Sequence, residues 1–142
     1  MCIRDSSKTT LTSEDIQQLY KLYQDIGWFG HTLENIGVIY NASTHIFVAV
    51  HQQKIVGCAR ALSDGVFNAA IYDVIVHPHY QRQGIGKKLL HQLCDIFRSV
   101  SCIHLISTIG HTDFYESCGF KLLKTGMGIY QKESLAEAYL YH

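Results

Sequence analysis

Apolar positions recur with two different periods along the chain, and the changes between them mark out its elements. Ile16, Leu19, Tyr20, Leu22 and Tyr23 fall at helical spacing after Thr12-Ser13-Glu14-Asp15, where Thr12 or Ser13 caps and two acids sit in the first turn. This helix ends near Gly27, and Leu33, Ile36 and Ile39 predict a second over 32–40. His45 to Val50 and Lys54 to Leu62 read as strands joined by the polar turn His51-Gln52-Gln53. Ser63-Asp64-Gly65 makes the next turn. Ala69 to Val76 is a third strand, which completes an antiparallel meander. It is Val- and Ile-rich, with Asp73 as its one charged residue, and Pro78 ends it. Ile85, Leu89, Leu90, Leu93, Ile96 and Phe97 then return to helical spacing.

Cys102 to Thr108 predicts a strand parallel to its predecessor, because a helix intervenes. Thr112 to Cys118 reads as a short helix stopped by Gly119. Phe120 to Thr125 and Gly128 to Gln131 read as a closing hairpin, and Ser134 to Tyr141 as a helical tail. Residues 1–8 lack periodicity and read as a loose lead with room for one short strand. The whole is one α+β domain over 1–142, with a mixed sheet and helices packed against it.

Composition narrows the function classes. Hydrophobic residues at 47% and a single proline fit a packed core, not disorder. Twelve basic and twelve acidic residues balance, so no general pull toward nucleic acid or anionic lipid exists. No apolar run approaches the ~18–20 residues of a membrane span, and no signal-peptide core opens the chain. Five cysteines, odd in number and without Cys-x-x-Cys, fit a reducing cytoplasmic setting. Nine histidines form no helical His-x-x-x-His pair, so no metal site is expected.

The candidate chemistry lies between strand and helix, in Gln81-Arg82-Gln83-Gly84-Ile85-Gly86-Lys87. Glycines let backbone crowd a ligand, and the first turn of a helix offers unpaired N–H groups with partial positive charge. Together they cradle an anion such as a phosphate, with Arg82, Lys87 and Lys88 adding charge. The spacing is not Gly-x-Gly-x-x-Gly, and no Gly-Lys-Ser/Thr occurs, which disfavours dinucleotide and NTP loops.

Val74-Ile75-Val76-His77-Pro78-His79-Tyr80-Gln81-Arg82-Gln83-Gly84-Ile85-Gly86-Lys87 resembles the acetyl-CoA signature of the GNAT N-acetyltransferase superfamily. Phe114-Tyr115-Glu116-Ser117-Cys118-Gly119-Phe120 is similar to its second landmark, Phe-Tyr-x-x-x-Gly-Phe. Arg60 to Asp64 and Phe67 to Val74 are similar to small bacterial members and to plant chloroplast-type serotonin N-acetyltransferases. The resemblance implies a sheet of six to seven strands whose central parallel pair splays apart to admit the pantetheine arm of acetyl-CoA. By it, Val74, Ile75 and Val76 meet pantetheine, amides from Gln81 to Gly86 hold the pyrophosphate, and Phe114 packs on the cofactor. It also allows a homodimer.

Acetylating an amine requires removing a proton from an ammonium with a pKa near ~10 and protonating a departing thiolate. Asp73, set beside the thioester by the resemblance, is the candidate base; its alternative is a structural aspartate satisfied by backbone donors or Arg60. Tyr115 matches the family tyrosine near the sulfur and is the candidate acid, against a plain core role. Trp28, Phe29, Phe67 and Tyr72 form a candidate aromatic wall for a small-molecule amine, or are simply core. Tyr72 stands where the plant enzymes carry Trp. Ile109 falls where many relatives carry an Asn that bonds pantetheine. Nothing near Cys58 or Cys102 supplies an obvious activating histidine, which disfavours an acyl-cysteine route.

Overall fold

The computed structural model describes residues 1–7 and 11–141; Lys8, the end of the expected lead, lies outside them. The chain forms two compact units, residues 1–106 and 107–142.

The first unit is a five-stranded sheet in the order β1 (Cys2–Asp5), β2 (His45–His51), β3 (Lys54–Ser63), β4 (Asn68–Val76), β5 (Cys102–Leu105). All neighbours are antiparallel except β4 and β5, which are parallel. The expected mixed α+β sheet is thus present, with five strands among the described residues instead of six to seven. Part of the expected lead is the edge strand β1, which pairs along β2 from Cys2↔Val50 to Asp5↔Phe47. The β2–β3 turn holds Gln52 and Gln53 at φ 50° and 65°, both left-handed, the geometry that matches hairpin twist.

Helix α1 (Ser13–Asp25) starts with a capping box: Thr12 Oγ1 accepts from Asp15 N–H, and Asp15 accepts from Thr12 N–H. Helix α2 (Leu33–Ala42) is capped by Thr32, whose hydroxyl accepts from Asn35 N–H. Leu19, Leu22 and Tyr23 of α1 and Ile36 and Tyr40 of α2 pack with Ile46, Val48, Cys58 and Ile75 on one face of the sheet. Helix α3 (Ile85–Ile96) covers the other face with Ile85, Leu89, Leu90 and Leu93, all buried. That face of β3 carries Gly57, Ala59 and Ala61, small enough for the helix to approach; a Cβ on Gly57 would stand 3.3 Å from both Ile85 and Leu89.

The second unit holds α4 (Thr112–Ser117) and α5 (Glu133–Tyr139), the latter where a helical tail is expected over Ser134 to Tyr141. Gly119, at φ 96°, ends α4 as its sequence predicts. The expected hairpin over 120–131 is absent: those residues take no strand conformation. Their apolar side chains are exposed, Leu122 at 78% and Met127 at 98%. Without a face to bury or an edge to join, a lone hairpin has little to hold it. Strand β5 likewise stops at Leu105, short of the expected Thr108, where Ile106 turns to solvent.

Candidate active site

The site is built around a fault in β4. Cys58 pairs with Ile75 and Arg60 with Tyr72, so Asp73 and Val74 together oppose the single residue Ala59. Asp73 carries the bulge at φ 54°, a left-handed conformation uncommon outside glycine. In a regular strand Tyr72 and Asp73 would face opposite ways. Here both meet the same guanidinium: Arg60 Nε donates to Asp73 Oδ2 at 2.9 Å, and Arg60 lies 5.0 Å over the Tyr72 ring. Both partners of the ion pair are largely buried, with side chains 12% and 15% exposed.

A second donor reaches the same oxygen, Tyr23 Oη at 2.7 Å. Tyr23 Oη lies 3.0 Å from Tyr40 Oη, Tyr40 Oη 3.2 Å from Cys58 Sγ, and Cys58 Sγ 3.7 Å from the Asp73 carbonyl. Burial, then nearby Cys58 and Asp73, push the Tyr23 phenol far above its ordinary range, and burial does the same to Tyr40. Burial also pushes the Cys58 thiol up to about 12. A thiol so protonated is no nucleophile at neutral pH. Cys102 does have a histidine beside it, contrary to expectation: His104, two positions along β5, brings Nδ1 to 4.0 Å from Sγ, the outer limit of a thiol contact.

The parallel ladder joins β4 to β5 only from Asn68 to Ile71. Beyond it, Tyr72 to Val76 have no partner on β5, so the backbone of Val74, Ile75 and Val76 has an unpaired edge among the described residues. This is the fork that the resemblance implies. The loop after it is anchored at three points. His77 N–H donates to the Val56 carbonyl at 2.8 Å, Gln81 Nε2 donates to the Val76 carbonyl at 3.0 Å, and His77 Nε2 lies 3.3 Å from Asp25. Arg82 sits at φ 65°, and Gly84 at φ 82° is the N-cap of α3 with no side-chain cap. The first-turn amides of α3 therefore meet no capping side chain, and Gln83 and Lys87 are exposed beside them. An unpaired strand edge leading to an uncapped helix start fits an extended amide tether ending in a diphosphate.

The four residues of the expected aromatic wall do not come together. Trp28 packs edge-on to Tyr23, with centroids at 5.8 Å, and stacks on His31. Tyr72 is with Arg60. Phe29 and Phe67 are 73% and 63% exposed. The residues that sequence reasoning missed are His31, whose Nδ1 is buried without a hydrogen-bond partner, and the tyrosine pair. A buried phenol on each of two successive helices is a readable signal, because a buried Tyr hydroxyl needs a partner.

In the second unit Tyr115 is half-buried on α4, its ring edge-on to Phe114 at 5.1 Å and to Phe120 at 6.0 Å. Thr108 Oγ1 lies 2.9 Å from His111 Nδ1, and Ile109 is exposed. No three His, Cys, Asp or Glu side chains gather as metal ligands among the described residues, and no helix among them is long and apolar enough to cross a membrane.

The family model described as the acetyltransferase (GNAT) family matches residues 8–120. A protein named uncharacterized N-acetyltransferase ycf52 from Pyropia yezoensis is 34% identical over 75% of this chain and 64% of its own length. A Glycine max protein named histone acetyltransferase TAP1 is 33% identical over 75% of this chain and 52% of its own. The chain thus spans between about half and two thirds of these relatives. Among solved structures, a GNAT-family acetyltransferase from Streptococcus pneumoniae superposes with a TM-score of 0.76 at 28% identity, covering 93% of this chain and 98% of that one.

Proposed function

Because the chain belongs to the acetyltransferase (GNAT) family, we propose that it moves an acetyl group from acetyl-CoA to a primary amine of a small molecule by direct transfer. The observation that carries this reading is the fork itself: β4 loses β5 after Ile71 and runs into the uncapped start of α3. Acetyl-CoA supplies an activated thioester. Val74, Ile75 and Val76 hold its pantetheine by backbone, and the amides of Gln81, Arg82, Gln83, Gly84, Ile85 and Gly86 hold the pyrophosphate. Lys87 adds charge, and Phe114 packs on the cofactor. Asp73 accepts the proton of the acceptor's ammonium. The freed nitrogen attacks the thioester carbonyl and the C–N bond forms; the C–S bond breaks, Tyr115 donates its phenolic proton to the leaving thiolate, and the second proton of the acylated nitrogen passes through solvent to restore the phenol.

Of the small amines, an arylalkylamine is best supported. Trp28 and His31 offer aromatic surface next to Tyr23, and Arg60 offsets the charge of Asp73, which leaves little attraction for a polycation. An odd number of cysteines, five, without Cys-x-x-Cys supports a reducing compartment. A protein amine is the second reading, favoured by the name of the Glycine max relative. Release of free thiol from acetyl-CoA, measured with arylalkylamines, polyamines, aminoglycosides and peptides in parallel, tests all of this. Faster release with peptides would replace the small-amine reading. Binding of CoA without release for any amine would leave an acyl-CoA-binding module.

A further inference from the structure

We propose that Tyr23 is a positioning residue for acetyl transfer: its hydroxyl, packed beside that of Tyr40, holds the Asp73 carboxylate toward the acceptor amine. The inference rests on the reading of Asp73 as the proton acceptor. Tyr23 has one hydroxyl hydrogen, and the 2.7 Å contact with a carboxylate oxygen, which cannot donate, fixes its direction. Tyr23 therefore cannot also donate to Tyr40, whose Oη lies 3.0 Å away and whose one hydrogen has two acceptors in reach, Tyr23 Oη and Cys58 Sγ at 3.2 Å. A charge-assisted hydrogen bond at this length is among the strong ones.

Geometry makes the support necessary. Asp73 stands on a bulge at φ 54°, where no strand ladder fixes the direction of its side chain. Arg60 holds it from one side and Tyr23 from another, both on Oδ2. The titratable and charged groups around the carboxylate are Arg60 and Cys58 from β3, Tyr23 from α1, Tyr40 from α2, Tyr72 on β4, and His31 from the α1–α2 connection, whose ring lies 4.9 Å from that of Tyr23. Only Tyr23 and Arg60 among them are hydrogen-bond donors to Oδ2. Burial keeps both phenols protonated, so the donors persist across the working pH range.

The test is a double-mutant cycle with Tyr23→Phe and Asp73→Asn, measuring kcat and KM from pH 5 to 9 beside thermal melts. Tyr23→Phe is expected to lower kcat about tenfold, the order set by one hydrogen bond to a charged group. Acetyl-CoA KM should stay within about twofold. In the Asp73→Asn background the same change should have almost no effect. An equal fall in both backgrounds, a rise in acetyl-CoA KM in place of a fall in kcat, or a variant that no longer folds gives the hydroxyl a purely structural role and overturns the proposal. Full turnover in Asp73→Asn alone would instead remove the base reading, and the role of Tyr23 with it.

Discussion

Gly57→Ala should loosen the grip of α3 on the sheet, and the structure sets the size of the effect. A Cβ there would stand 3.1 Å from the Ile75 carbonyl oxygen and 3.3 Å from both Ile85 Cγ2 and Leu89 Cδ1. Carbon atoms prefer about 3.5–4.0 Å, so the two carbon contacts are short by a few tenths of an ångström, and the approach to the carbonyl oxygen is tight as well. That approach is to backbone in the strand centre and does not yield by rotamer change. Overpacking of this kind costs about 1–3 kcal/mol, offset by about 0.4–1 kcal/mol from the lower unfolded-state entropy of alanine. A net loss of about 1–2 kcal/mol remains. With an unfolding entropy near 0.3 kcal/mol per kelvin for about 142 residues, Tm falls by about 3–7 °C. The two neighbours are also functional: Ile75 lies on the open edge of β4, and Ile85 is the first residue of α3. The KM for acetyl-CoA should therefore rise with the loss of stability. Thermal melts by circular dichroism check the first effect and steady-state kinetics the second. Gly30→Ala, with nothing within 4 Å of its Cβ, is the control and should show only the small unfolded-state gain, about 0.4–1 kcal/mol. A Gly57→Ala protein that melts no lower than the Gly30→Ala control would refute the packing account.

Three further predictions follow from the site and the first helix. Asp73→Asn should lower kcat at least tenfold with little change in CoA affinity by calorimetry; near-normal turnover at every pH removes Asp73 from proton transfer. Tyr115→Phe should slow the acetyl-transfer step in single-turnover experiments without weakening CoA binding, and an unchanged single-turnover rate would return Tyr115 to the core. Burial alone would raise the Asp15 carboxyl, but the Thr12 backbone and hydroxyl and the Arg4 guanidinium outweigh it and hold it below 3.8. A depressed carboxylate stabilises the fold above its unfolded value and loses that contribution as pH falls through its folded one. Asp15→Asn should therefore melt lower than the parent at pH 7, and the gap should close below pH 3.8; a gap independent of pH would assign the effect to packing.

Long periodic segments were legible in the sequence. The stripes of α1 and α3, the Thr12 cap, the β2–β3–β4 meander and the parallel β5 all follow from apolar spacing and turn chemistry, because burial of one face dictates them. Short strands were not. Cys2 to Asp5 is too brief to show a period, and only pairing with β2 makes it a strand. Residues 120–131 fail in the opposite direction. Leu122, Leu123 and Ile129 have strand propensity, but propensity measures fit to a neighbouring strand, and these side chains are exposed at 78%, 60% and 88%.

The heart of the site was illegible for one physical reason. A bulge adds a residue without changing the hydrophobic pattern around it, so Tyr72-Asp73-Val74 reads as unbroken strand. Yet the irregularity does two things within a few residues. The ladder to β5 ends at Ile71, and the backbone turns left-handed at Asp73. The first opens the edge that fits pantetheine. The second brings a carboxylate to the α1–α2 face, where Tyr23 and Arg60 wait, instead of to the face covered by α3. A regular strand would give neither, since Tyr72 and Asp73 would then lie on opposite faces and Arg60 could reach only one of them. The open edge and the poised carboxylate are thus consequences of one local departure from strand geometry. The buried phenols of α1 and α2 are where they are because that departure leaves a charged oxygen to be satisfied in an otherwise apolar layer.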